Sequence, residues 1–140
     1  MKAIRRLLIL SMLCAATAGC RDAEPAKPAG TGAREVVAKY YEALAQRDWA
    51  TAYAQLHADS QKNLDQAAFE RRAHDFCKRL EFQFTKVIIR SCDEQGDKAV
   101  AQVILSDADG SMKHRYHDGA ILQQSPSGWR IVLPSNFGQK

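Results

Sequence analysis

Apolar side chains recur along this chain in two rhythms, and the change from one to the other falls near residue 82. Val37, Tyr40, Tyr41 and Leu44 stand at i, i+3, i+4 and i+7, the stripe of an amphipathic helix over residues 34–47. Asp48 fits a cap, and Trp49, Tyr53 and Leu56 mark a shorter second helix that reaches about residue 58 before the polar stretch 60–63 breaks it. Asp65 is placed to cap a third helix, in which Phe69, Ala73, Phe76 and Leu80 recur at helical spacing. From Phe82 the residues turn aromatic and β-branched: FQFTKVIIRSC, then a turn over 93–97, then AVAQVIL over 99–105. A third strand is expected over 112–123, bulged near Asp118-Gly119, and a last one over 129–133 after the turn Ser125-Pro126-Ser127-Gly128. Three helices followed by a four-stranded meander describe an α+β domain, its helices packed on one face of a curved antiparallel sheet.

The first residues follow neither rhythm. Met1-Lys2-Ala3-Ile4-Arg5-Arg6 is a basic head, and the 12 residues 7–18 are an apolar run ending in small side chains, which together read as a signal peptide over 1–19. A run of 12 falls short of the roughly 20 residues that a membrane-crossing helix needs. Ala18-Gly19 before Cys20 resembles the lipobox of bacterial lipoproteins, although Thr17 stands where Leu, Val or Ile is usual. That resemblance implies a small exported lipoprotein, with Cys20 lipidated and held in a membrane by acyl chains that each contribute about 0.8 kcal/mol per buried CH₂. Arg21, rather than Asp, after the cysteine implies the periplasmic face of the outer membrane.

Removing the leader changes the charge. The whole chain carries +4, but Lys2, Arg5 and Arg6 leave with the signal, so 17 Lys and Arg then face 16 Asp and Glu. The net basicity that would suggest nucleic acid falls away, and Arg71-Arg72 and Lys78-Arg79 read as the solvated side of a helix. Residues 20–33 hold two prolines, two glycines and no large apolar side chain, a tether. Residues 34–140 are long enough for one core.

The stretches VVAKYYEALAQRDWATAYAQLHAD, LDQAAF, GDKAVAQVIL and SGWRIVLP resemble the nuclear transport factor 2-like superfamily over about residues 34–133. The resemblance implies a cone-shaped domain whose open end can hold a small molecule between the first helix and the concave sheet. AKYYEALAQRD is similar to the ketosteroid isomerase branch around its oxyanion-binding tyrosine, which falls on Tyr40 here, and ungapped extension brings that branch's basic aspartate near Asp65. Asp65 opens a helix in this chain, however. A carboxylate held by backbone N–H groups at a helix start is a poor base, so no catalytic residue is assigned.

The remaining chemistry is sparse. His114 and His117 are three apart on a strand and point to opposite faces, His57 and His74 lie on separate helices, and no metal set converges. Asp107-Ala108-Asp109-Gly110 has half of a calcium loop's pattern, but Met112 stands where the loop needs glycine, so it reads as a turn. No cofactor is expected. Cys77 and Cys92 would close a loop of about 15 residues, worth about 3 kcal/mol as a disulfide, yet a straight strand over 82–92 carries them apart unless it bends; bridged and free forms both stay open.

These readings lead to an expected function. The chain is a lipid-anchored envelope protein with a non-catalytic domain that binds a small apolar ligand or an envelope protein. Tyr40, Tyr41, Trp49, Tyr53, His57, His114 and Tyr116 are the candidates for its cavity. The alternatives are an isomerase or cyclase using Tyr40, and a docking module that dimerises through the outer face of its sheet.

Overall fold

The computed structural model describes residues 30–110 and 113–139. The expected signal peptide, Cys20 and the first part of the tether lie outside the described residues. Helices α1 (Ala33–Gln46), α2 (Trp49–Ala54), α3 (Ala58–Asn63) and α4 (Gln66–Arg79) precede strands β1 (Lys86–Gln95), β2 (Lys98–Ser106), β3 (Arg115–Ser125) and β4 (Gly128–Val132). The strands form one antiparallel sheet in the order β1-β2-β3-β4, with the helices on one face. The α+β meander is as the sequence predicts.

The helix count differs by one, for a local reason. The polar stretch 60–63 does not end a helix; it forms most of α3. His57 caps it by accepting from the Asp59 N–H, and Ser60 is buried because its hydroxyl accepts from the Leu133 N–H at 3.0 Å. The link between α2 and α3 also closes the free edge of β4: His57 N–H donates to Ile131 O at 2.7 Å and Ile131 N–H to Gln55 O at 2.8 Å.

α1 ends as its sequence allows without glycine. Arg47 takes a left-handed φ of 58°, Arg47 N–H reaches Leu44 O and Asp48 N–H reaches Ala43 O, a Schellman closure. Asp48 then caps α2 through Thr51 N–H, and Asp65 caps α4 through Ala68 N–H at 2.7 Å.

The expected bulge is in a different strand. β3 pairs with β2 without interruption through Asp118 and Gly119, whereas β1 shifts register between Ile89 and Ser91, leaving Arg90 as the extra residue. In the first half of β1, Val87 and Ile89 oppose Leu105 and Val103; after the bulge, Cys92 and Glu94 oppose Ala101 and Ala99. All four partners on β2 are buried, so the bulge keeps both halves of β1 facing the helices. β1 also starts later than predicted, at Lys86, and runs on to Gln95.

Glu94 shows what that register achieves. Its carboxylate accepts from Thr31 N–H at 2.9 and 3.0 Å, from the Thr31 hydroxyl at 2.8 Å and from Ala33 N–H at 3.3 Å. Gly32 offers no side-chain cap, so this distant carboxylate takes the N–H groups at the start of α1 and complements the positive end of the helix. Trp129 joins the knot by donating its indole N–H to the Thr31 hydroxyl at 2.7 Å. The packed domain therefore includes residues before Arg34: Thr31 is tied down and Ala33 is fully buried.

The core lies between α1, α4 and the concave sheet, built from Val37, Leu44, Phe69, Leu105, Leu122 and Ile131 among others. Replacing Glu94 by Gln removes the charge and one acceptor set from the knot; the expected cost is about 1–2 kcal/mol in urea unfolding of the protein. An unchanged unfolding midpoint would contradict the role given to this carboxylate.

Candidate functional site

The concave side of β3 presents Tyr116, Asp118, Ala120 and Leu122 in alternation, opposite the buried positions Leu105, Val103, Ala101 and Ala99 of β2. Asp118 is thus a carboxylate on the inner face of the sheet. α1 crosses that face and brings Tyr41, whose hydroxyl donates to Asp118 Oδ2 at 2.9 Å; the other oxygen, Oδ1, accepts from Gly119 N–H at 2.9 Å. Tyr40 sits edge-on to Tyr41, with ring centroids 5.1 Å apart. Both tyrosines are buried, yet among the described residues the Tyr40 hydroxyl has no hydrogen-bond partner.

These groups stand at one end of a cavity of about 350 Å³. Its aromatic wall is Phe76, Tyr116 and Phe137: the Phe76 ring lies 6.0 Å from Tyr116, edge to face, and 5.5 Å from Phe137. The mouth is crossed by the C-terminal segment 134–139, a strap held from α4. Arg79 donates to Gly138 O at 2.8 Å and Arg72 to Ser135 O at 3.3 Å, while Phe137 stacks on Phe69. Gly138 has φ +70°, and a Cβ there would stand 2.5 Å from Arg72 O, so the strap can lie this close to α4 only with glycine.

Electrostatics keeps the tyrosines neutral. Burial first, and then the neighbouring Asp118, push both hydroxyls well above the ordinary phenol range. They act as hydrogen-bond donors and not as acids. Asp118 has lone pairs to spare, since a carboxylate offers about four acceptor sites and two are used by Tyr41 and Gly119. The cavity therefore presents a free donor and a carboxylate acceptor at one end, an aromatic wall, and the polar side chains of Arg79, Asn136 and Gln139 towards the strap.

Of the residues singled out in the sequence, Tyr40, Tyr41 and Tyr116 line this cavity. Trp49 lines a separate hollow of about 420 Å³ between the ends of α1 and α4, whose rim residues Arg47, His74, Lys78 and Glu81 are all exposed. Tyr53 is structural: its hydroxyl donates to Leu64 O at 3.1 Å and to Gln61 O at 3.3 Å. His57 caps α3, and His114 pairs with Asp107 and stacks on Phe82 outside the cone. Asp65 is a helix cap and does not line this cavity. The carboxylate of the site is Asp118, and its tyrosine partner is Tyr41 rather than Tyr40.

Cys77 and Cys92 are free thiols. Cys77 lies on α4 beside the outer hollow and Cys92 on β1 opposite Ala101. Burial raises both thiols, against Arg47 at Cys77 and reinforced by Glu94 at Cys92, so both behave as small apolar groups. Among the described residues no cluster of three metal-ligating side chains occurs, and no helix is long and apolar enough to cross a membrane.

The raised tyrosines have a pH signature. The unfolded chain loses phenol protons above about pH 10 while the folded chain keeps them, so stability falls as pH rises beyond that point. Tyr41→Phe is expected to flatten part of that fall in urea unfolding compared at about pH 9 and about pH 11. An equally steep fall in the variant would contradict the assignment.

No family model matches the chain, and no curated protein matches it. Solved structures do. A crystal structure from Campylobacter jejuni, provisionally described as an NTF2-like transpeptidase, is similar with a TM-score of 0.55 and 13% identity, covering 72% of this chain and 98% of that one. A SEC-C motif-containing protein from Rhodopseudomonas palustris is similar with a TM-score of 0.52 and 13% identity, covering 70% of this chain and 73% of that one. At such identities the likeness concerns the fold, and it agrees with the helices, the meander and the cone described above: the chain has a nuclear transport factor 2-like fold.

Proposed function

We propose that the cone cavity is a binding site for a small molecule with an apolar body for the aromatic wall, a hydrogen-bond donor for Asp118 and an acceptor for Tyr40. The observation that carries this reading is the convergence of Tyr40, Tyr41 and Asp118 at the end of a cavity walled by Phe76, Tyr116 and Phe137. A volume of about 350 Å³ lies within the range of about 300–1,000 Å³ common to small-molecule sites. Binding without catalysis is favoured by chemistry. Each oxygen of Asp118 already accepts a hydrogen bond, which lowers its reach for a carbon acid, and the tyrosines are held too weakly acidic to hand over a proton. The transpeptidase named for the Campylobacter jejuni structure finds no support in the cavity, where among the described residues no Ser, Thr, Cys or Lys side chain stands as nucleophile.

The domain is delivered to the cell envelope by its leader and kept there by lipid on Cys20, a reading supported by the basic head, the apolar run and Ala18-Gly19-Cys20. The knot at Thr31 and Glu94 then marks where the tether ends. Expression in a bacterial envelope with labelled palmitate tests this directly: label on the wild-type chain and none on Cys20→Ser is expected. Equal labelling of both, or of neither, overturns the anchor.

The cavity is tested with 2-naphthol, a planar apolar probe with one hydroxyl, followed by its fluorescence. Asp118→Asn is expected to weaken binding about tenfold or more by removing the charged acceptor. Gly138→Ala is expected to speed both entry and release, because the strap can no longer rest on α4. Binding that is absent in the wild type, or indifferent to Asp118→Asn, contradicts the proposal.

A further inference from the structure

The outer face of the sheet concentrates positive charge more than the whole-chain net of +4 indicates. Strand register sends Lys86, Lys98, Arg115, His117 and Arg130 outward, and the bulge adds Arg90. Among the described residues, the one carboxylate that the strand register sends to this side is that of Asp93. Among the described residues none of these lysines and arginines is paired with an acidic side chain.

Two large apolar side chains stand among these cations. Val100 and Ile121 are directly opposed on β2 and β3, at 54% and 55% exposure. Val132 continues the row on β4. Next to them lies a shallow notch of about 480 Å³, with Arg90 and His117 on its walls and Gln102, Ile104, Asp118 and Gly119 among its lining; the Asp118 carboxylate itself is held by Tyr41 on the inner side.

We infer that this face docks on an anionic phospholipid surface, with Val100 and Ile121 entering the headgroup layer and the flanking cations meeting phosphates. Exposed apolar groups ringed by unpaired cations are what such a surface requires, since apolar burial and charge attraction act together there. A soluble acidic protein would satisfy the cations as well, but the position of the chain favours lipid. Gly30, at the start of the described residues, lies beside Glu94 at the end of β1, and it is only ten positions on from Cys20. Ten residues span at most about 35 Å. This argument rests in part on the proposed anchor, which supplies proximity; the face itself supplies orientation. The helices and the strap lie on the other side of the sheet, so docking turns the cavity mouth away from the membrane.

The test uses the full chain carrying a photoreactive benzoylphenylalanine in place of Ile121, mixed with vesicles of phosphatidylcholine alone or of equimolar phosphatidylcholine and phosphatidylglycerol. Flotation of the chain with vesicles reads the anchor; a lipid adduct at position 121 reads the face. A lipid adduct on anionic vesicles and not on neutral ones, suppressed by high salt, is expected. Arg90→Gln together with Arg130→Gln is expected to lower adduct yield at least about fivefold, one decade or so being the scale for two surface cations. Flotation with both vesicles but equal or no adduct on either overturns the docking face while leaving the anchor standing. A chain-to-chain adduct in place of the lipid adduct also overturns it, in favour of a second copy on the same surface.

Discussion

A single extra residue in β1 decides which side of the sheet half a strand presents. Strand side chains alternate, so without the bulge at Arg90 the inward places of Cys92 and Glu94 would pass to Ser91 and Asp93. Two polar groups would then face the helices opposite Ala99 and Ala101, and Glu94 would point away from α1. With the bulge, Glu94 reaches the N–H groups at Thr31 and Ala33, and the first turn of α1 is fixed against β1 and, through Trp129, against β4. The same residue that corrects the inner face supplies a guanidinium to the outer one.

Fixing α1 at its start fixes what lies one and two turns later. Val37 and Leu44 are buried in the core, and between them Tyr41 is held over the sheet where Asp118 points inward. A hydrogen bond from a buried phenol to a carboxylate is stronger than a neutral pair, and here it spans two layers of the fold. It leaves the cavity polar at one end without filling it. α4 completes the enclosure from the other side, with Phe76 as wall and Arg72 and Arg79 holding the strap. Strap, bulge and helix start each depend on backbone features far apart in sequence, which is why the site is a property of the fold and not of a motif.

That dependence explains what the sequence could and could not reveal. Helix faces were legible because Val37, Leu44, Phe69 and Phe76 repeat at helical spacing, and the strands because apolar residues alternate between polar ones. Tyr40, Tyr41 and Tyr116 were legible as cavity candidates for the same reason. α3 was hidden because its residues are polar and its stability comes from the His57 cap and from Ser60 bonding to distant Leu133. The bulge was misplaced because Gly119 is the usual sign of one, while Arg90 looks like any strand residue. Asp118 was passed over as part of that kink. Its parity with Ala120 and Leu122 was the available signal, and reading the strand as unbroken would have turned it inward.

If the cone cavity is a binding site, it is occupied by a small molecule in the cell. The most direct measurement is mass spectrometry of the full chain purified from a bacterial envelope, first under native and then under denaturing conditions. A small added mass that survives native conditions and is lost on denaturation is the predicted result. The mass of the processed chain alone in both spectra, from every growth condition tried, would contradict it.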